Sequence, residues 1–194
     1  MSSSAPSGVP LAVGTTFVYH SRDSLSGLPI VGERAAPDSD FVVRVTGDTL
    51  DLDGTRWAII DQPDRAFGSS GIGPYYANGA GGVYRLEARL GTAALSGVAL
   101  LIFAYPAPRG TVMQFGPTVT ATDTVITVAA GTFHCYRYDL VSQPSRTDTS
   151  WTVFLAPGTG VVQRIQPIAS MSDAQGHLTA RHDRIFRLTS IQRP

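Results

Sequence analysis

The chain has 194 residues, formal net charge zero and 15% charged residues, against roughly 25% in an average soluble domain, so it has the length of one domain and no basic surface for a nucleic-acid backbone. Nucleic acid is therefore not expected as a partner. Its fifteen basic residues are all Arg, and without lysine neither Schiff-base chemistry nor a phosphate-loop lysine can be built.

The first residues, MSSSAPSGVP, are small and polar with two prolines, a tether composition. Residues 1–12 are expected to be a flexible N-terminal tether and residues 13–194 a single β-barrel-like domain. No run approaches the ~20 apolar residues of a membrane helix. Thr15 to Arg22 reads as a first strand, with Phe17 and Tyr19 on one face and Val18 and His20 on the other. A polar connection from Asp23 to Asp40 follows, with room for a short strand near Pro29 to Glu33. Phe41 to Val45 alternates again, and Asp53-Gly54 turns the chain into Thr55 to Ile60 with Trp57, since Asp-Gly between alternating runs is a strong hairpin signal.

From Asp61 to Gly82 the alternation dissolves into a Gly-rich loop carrying Phe67, Tyr75 and Tyr76. A loop of that length in a compact domain is a lid, a binding loop or disorder; its aromatics favour a flap over one end of the barrel, or else a mobile excursion. Val83 to Leu90 is expected to point Tyr84, Leu86, Ala88 and Leu90 inward and Arg85, Glu87 and Arg89 to water. Gly97 to Tyr105 is apolar on both faces, as in a strand covered on both sides or one lining an apolar cavity.

The anchor is Thr118 to Val141, TVTATDTVITVAAGTFHCYRYDLV, two strands joined by a turn at Ala130-Gly131. Valine, threonine and aromatic residues fit a pleated surface, and a bulge near Thr124 reconciles Val119 and Ala121 with Ile126 and Val128. His134, Tyr136, Tyr138 and Leu140 share the face expected to be buried. After a polar loop from Ser142 to Thr149 come Ser150 to Ala156, a Pro157-Gly158 turn, Val161 to Ile168, and a last strand from about His177 to Ile191. Arg181, His182, Asp183, Arg184 and Arg187 charge both faces of that strand, which suits a protected edge. Strands in succession through short turns give the fold class: all-β, a single antiparallel meander curling into a closed or half-open barrel.

VITVAAGTFHCYRYDL and WTVFLAPGTGVVQRI resemble segments of uncharacterised bacterial envelope lipoproteins, including the TapB-like group. The likeness spans Val125 to Arg164 and departs at Ala129, where proline is common. It implies a half-open barrel similar to the LolA and LolB carriers and brings no catalytic residues. With the tether it implies an extracytoplasmic protein, periplasmic or anchored at the outer membrane through a removed N-terminal signal segment; the alternative is an ordinary frayed cytoplasmic terminus.

Chemistry is sparse. Gly68 to Gly73 lacks the context of a nucleophile elbow or dinucleotide loop, and Asp51-Leu52-Asp53-Gly54 lacks flanking calcium ligands. His134 and Cys135 are adjacent and therefore face opposite ways, as do His177 and His182, five apart. The one cysteine is expected to be a buried hydrophobe. No catalytic residue, metal site or cofactor is assigned. The first reading is a non-enzymatic envelope protein holding a lipid or other apolar small molecule, with Leu100, Ile102, Phe103, Tyr136 and Tyr138 as wall and Tyr75 and Tyr76 in a flap. The second is a structural or protein-interaction module without a cavity, engaging an envelope protein partner. The third is an enzyme with a His/Asp site built on His20, His134 or His182, which clustered histidines would support and dispersed ones would end.

Overall fold

The computed structural model describes residues 8–63, 74–88, 95–113, 117–140 and 151–194. They form eleven strands: β1 Thr16–Gly27, β2 Ser39–Leu50, β3 Arg56–Ile60, β4 Tyr75–Gly79, β5 Gly82–Ala88, β6 Gly97–Ala104, β7 Thr118–Val128, β8 Gly131–Leu140, β9 Trp151–Ala156, β10 Gly160–Ser172 and β11 Leu178–Gln192. The spatial order is β6-β5-β4-β3-β2-β1-β11-β10-β9-β8-β7, antiparallel in every ladder. Consecutive strands pair everywhere except β6 with β7, and β1 pairs with β11. The order is that of an eleven-strand meander barrel slit along one seam, the half-open architecture expected of such alternating runs.

The anchor hairpin is β7 and β8, with Gly131 at φ 134° closing the turn, a backbone region where a Cβ is strained. The β7–β8 register breaks between Ala121 and Thr124, where the bulge was expected. The Asp53-Gly54 turn is tied by Asp51, whose carboxylate accepts from the Thr55 N–H (2.9 Å) and from the Trp57 indole (2.6 Å).

One face of the sheet carries the main core: Phe17, Tyr19, Phe41, Val43, Val45, Ile60, Tyr76, Val83, Phe103, Tyr138, Val153, Leu155, Phe186 and Leu188 among others. Tyr19 stacks on Phe41 at 5.3 Å, and Phe41 meets Phe186 edge-on at 5.5 Å. The opposite face is also partly covered. Cys135, Phe154, Ala156 and Val162 form a second cluster with Ile126 and Phe133; Trp57, Ala77 and Leu86 form a third with Tyr75, Tyr84 and Leu95.

Several expectations are corrected. β11 is a central strand between β1 and β10 rather than an edge, because its charges find partners across its faces: Arg181 with Asp183, and Arg184 with Asp23. The expected loop from Asp61 to Gly82 contains β4, so Tyr75 and Tyr76 lie in a strand and not a flap; residues 64–73, with Phe67 and the Gly68 to Gly73 run, lie outside the described residues, as does the loop from Ser142 to Thr149. Arg85, expected in water, has a side chain only 7% exposed. It shares the parity of Val83 on the main-core face, while Tyr84 and Leu86 pack in the third cluster. Arg89 and Leu90 lie outside the described residues. No strand forms at Pro29 to Glu33. Val9 is buried in the main core and exchanges two hydrogen bonds with the Asn78 side chain.

Candidate functional site

The slit between β6 and β7 is where a curved sheet would admit a ligand, and side chains of β6 and β8 fill it. β6 delivers Phe103 because its register with β5 shifts between the partners of Val83 and Tyr84, leaving Ile102 as the extra residue. Phe103 meets the Tyr138 ring at 5.0 Å, and the Tyr138 hydroxyl donates to the Ala104 carbonyl at 2.7 Å. Burial raises the Tyr138 pKa, with the nearby Tyr136 and Tyr105 hydroxyls adding to it, so its proton stays on this bond.

Of the residues expected to wall a cavity, Tyr138, Phe103 and Leu100 are 0%, 1% and 2% exposed. Tyr76 is fully buried in the main core, while Tyr75 packs on the opposite side in the third cluster. Ile102 and Tyr136 are half-buried at the margin of the core, with Tyr136 6.2 Å from the Tyr105 ring. The structure thus brings Phe103, Tyr136 and Tyr138 together and separates Tyr75 from them.

The second place where chemistry gathers is around His182, one of the histidines of the His/Asp reading, with partners that no sequence spacing points to. Beyond the β2 partners, which end at Ser21, and the β9 partners, which end at Ile165, the strands β1, β11 and β10 continue as a three-stranded ribbon. Its inner face turns ionic: Asp23, His182 and Arg184 are joined by Glu33 from the loop 28–38. Asp23 accepts from Arg184 Nε (2.8 Å) and from the Ala36 N–H (2.8 Å), and contacts His182 Nε2 at 3.0 Å, while His182 Nδ1 lies 2.9 Å from Glu33. Both the Asp23 and His182 side chains are 2% exposed.

With a carboxylate against each ring nitrogen, His182 is satisfied only as the imidazolium, donating twice. Burial works against that charge, but the hydrogen bonds to Asp23 and Glu33 outweigh it and raise the pKa. The Arg184 guanidinium, ahead of the opposing effect of burial, holds the Asp23 carboxyl well below the usual carboxylate range. A histidine with neither lone pair free is no general base. The cluster fastens loop 28–38 to the ribbon.

The other histidines stand apart, each beside its own aspartate: His20 with Asp38 and Asp40, His134 with Asp123, His177 with Asp173. They are dispersed, and no two of the four histidines share a site. Among the described residues no three His, Cys, Asp or Glu side chains are grouped to hold a metal ion. Cys135 is buried, and burial pushes its thiol up to about 12, away from the thiolate that reactivity requires.

No family model matches the chain, and no curated protein matches it. Two solved structures are similar in fold. One, from Bacteroides fragilis, is provisionally described as an exported protein with a YmcC-like fold; it is 12% identical, with 97% of this chain and 100% of that chain covered and a TM-score of 0.43. The other, from Parabacteroides distasonis, is provisionally described as a lipoprotein, with 12% identity, the same coverage and a TM-score of 0.42. Neither description uses the TapB or Lol names attached to the sequence resemblance.

Proposed function

We propose that the protein is a non-enzymatic component of the cell envelope, a packed β-scaffold that acts through its outer surface. The observation that supports this reading is the packing across the slit: Tyr138, Phe103 and Leu100 are nearly fully buried, and the Tyr138 hydroxyl is bonded to β6. Preformed ligand sites are open and concave; here the apolar lining packs on itself. The extracytoplasmic placement rests on the resemblance of Val125 to Arg164 to envelope lipoproteins, and an N-terminal membrane tether belongs to the same proposal.

A second reading, a lipid or other apolar ligand held behind the slit, is favoured by the half-burial of Ile102 and Tyr136 at its margin. Native mass spectrometry of protein purified without denaturant separates the two. The bare polypeptide of 20.6 kDa is expected; a stoichiometric apolar adduct would replace the scaffold reading with the ligand reading.

A further inference from the structure

Loop 28–38 is held to the β1–β11–β10 ribbon by very little. Of its residues only Ile30 and Glu33 are sheltered even in part, and the others stand in solvent. Its ties to the strands among the described residues are the Leu28 N–H to the Thr179 carbonyl (3.1 Å), Glu33 to His182 Nδ1 (2.9 Å), the Ala36 N–H to Asp23 (2.8 Å) and Asp38 to His20 (3.5 Å). A segment with so little apolar burial opens locally with ease, and its polar ties decide whether it does.

Two of the four ties need an imidazolium. The contact of Asp38 with His20 joins side chains 52% and 40% exposed, where water competes and an ion pair contributes little. The tie at His182 is the buried one. Register sets His182 beside Leu25 of β1 and Ala169 of β10, so its charged neighbours are few: Asp23 from β1, Glu33 from the loop, and Arg184 of its own strand, which holds Asp23. β10 brings no titratable group to it, and Arg181 and Asp183 pair with each other on the opposite face of β11.

When His182 loses its proton, the neutral ring keeps one N–H and turns a lone pair to the other carboxylate. Asp23 is 2% exposed and has no route to water, whereas the Glu33 side chain is 33% exposed and sits on the loop. The remaining N–H therefore stays with Asp23, and Glu33 leaves the lone pair for solvent. Burial opposes the charge on His182 and the two carboxylates outweigh it, so the tie is whole below the ordinary imidazole value and is lost as pH rises through a higher one.

We propose that residues 28–35 are a pH-operated strap, closed on the ribbon while His182 is an imidazolium and lifted, with Glu33 in water, once it is neutral. Leu28 and Ala36 are its fixed ends, because their N–H groups keep their acceptors. This does not depend on whether the interior is closed.

The test is trypsin cleavage after Arg34, an exposed residue of the strap, in the full chain from about pH 6.5 to about pH 9, each rate divided by that of a free peptide of the same sequence. The wild-type ratio is expected to rise with pH, by up to about tenfold per unit, the slope of one proton lost per opening. Glu33→Ala should be cleaved fast at every pH. Glu33→Gln is the sharper variant: its amide carbonyl accepts from the imidazolium and its NH2 donates to the neutral ring, so its cleavage should stay slow and flat. A flat wild-type profile, Glu33→Ala as resistant as wild type at the acid end, or Glu33→Gln that climbs with pH as wild type does would overturn the proposal, the last by giving the pH dependence to His20 and Asp38. So would loss of the far-ultraviolet strand signal over the same pH range, since the whole sheet and not the strap would then be opening.

Discussion

Tyr138 of β8 and Ala104 at the end of β6 are joined by a 2.7 Å hydrogen bond, although their strands lie near opposite ends of the sheet order. It is a side-chain bond across a gap that no backbone ladder spans. Tyr138→Phe keeps the ring against Phe103 and removes only the donor, an expected loss of about 1–3 kcal/mol. Tyr138→Ala adds a cavity and should cost about 3–5 kcal/mol. Chemical denaturation of the two variants checks the order and size.

The ribbon cluster predicts a bell-shaped stability profile. Asp23, whose pKa is depressed by Arg184, contributes stability above the ordinary carboxylate range and loses it as pH falls through its folded value. His182, whose pKa is raised by Asp23 and Glu33 against the effect of burial, contributes fully below the ordinary imidazole value and loses it as pH climbs through the raised one. The contribution is therefore greatest from about pH 4 to about pH 6.5. His182→Gln should flatten the alkaline limb in melts across pH and make loop 28–38 more sensitive to limited proteolysis.

Cys135 is expected to resist a thiol reagent such as 5,5′-dithiobis(2-nitrobenzoate) at pH 8 in the native protein and to react fully in denaturant, because it is buried and its thiol is pushed up to about 12. Rapid native labelling would show that the cluster of Phe154, Ala156 and Val162 does not cover it.

Asp51→Ala should release both the turn after β2 and the Trp57 indole, which rests on that carboxylate at 2.6 Å. Leaving a buried indole N–H without its acceptor costs about 1–3 kcal/mol. A red shift of tryptophan emission with a lowered melting temperature is the expected signature.

Gly82 sits at φ 137°, and a Cβ there would collide with the Phe103 carbonyl. Gly82→Ala is therefore expected to force β5 away from β6 and to cost more than the ~1 kcal/mol of an ordinary glycine replacement, measured by the denaturation midpoint.

Much of the fold was legible because β-branched and aromatic residues, a bulge near Thr124 and an Asp-Gly turn each announce themselves locally. What failed has equally local causes. β4 is five residues with Asn78 and Gly79 at its end, too short and too glycine-flanked to stand out from a loop. Alternation in β5 separates Tyr84 and Leu86 from Arg85, but it cannot name the inner face when both faces are covered. The charged stretch around His182 looks the same whether its partners are water or Asp23 and Glu33, which lie 159 and 149 residues away. No spacing rule reaches that far. The expected wall residues are apolar, and the same property explains why Phe103 and Tyr138 press against each other.

The seam between β1 and β11 has a kinetic consequence. Residues far apart in sequence, such as Phe17 and Ile191, become immediate neighbours in the middle of the sheet, so a very long loop must close before its centre exists. The β1–β6 and β7–β10 meanders are built from sequence-adjacent pairs, so each can assemble locally while the ladder that unites them waits for β11.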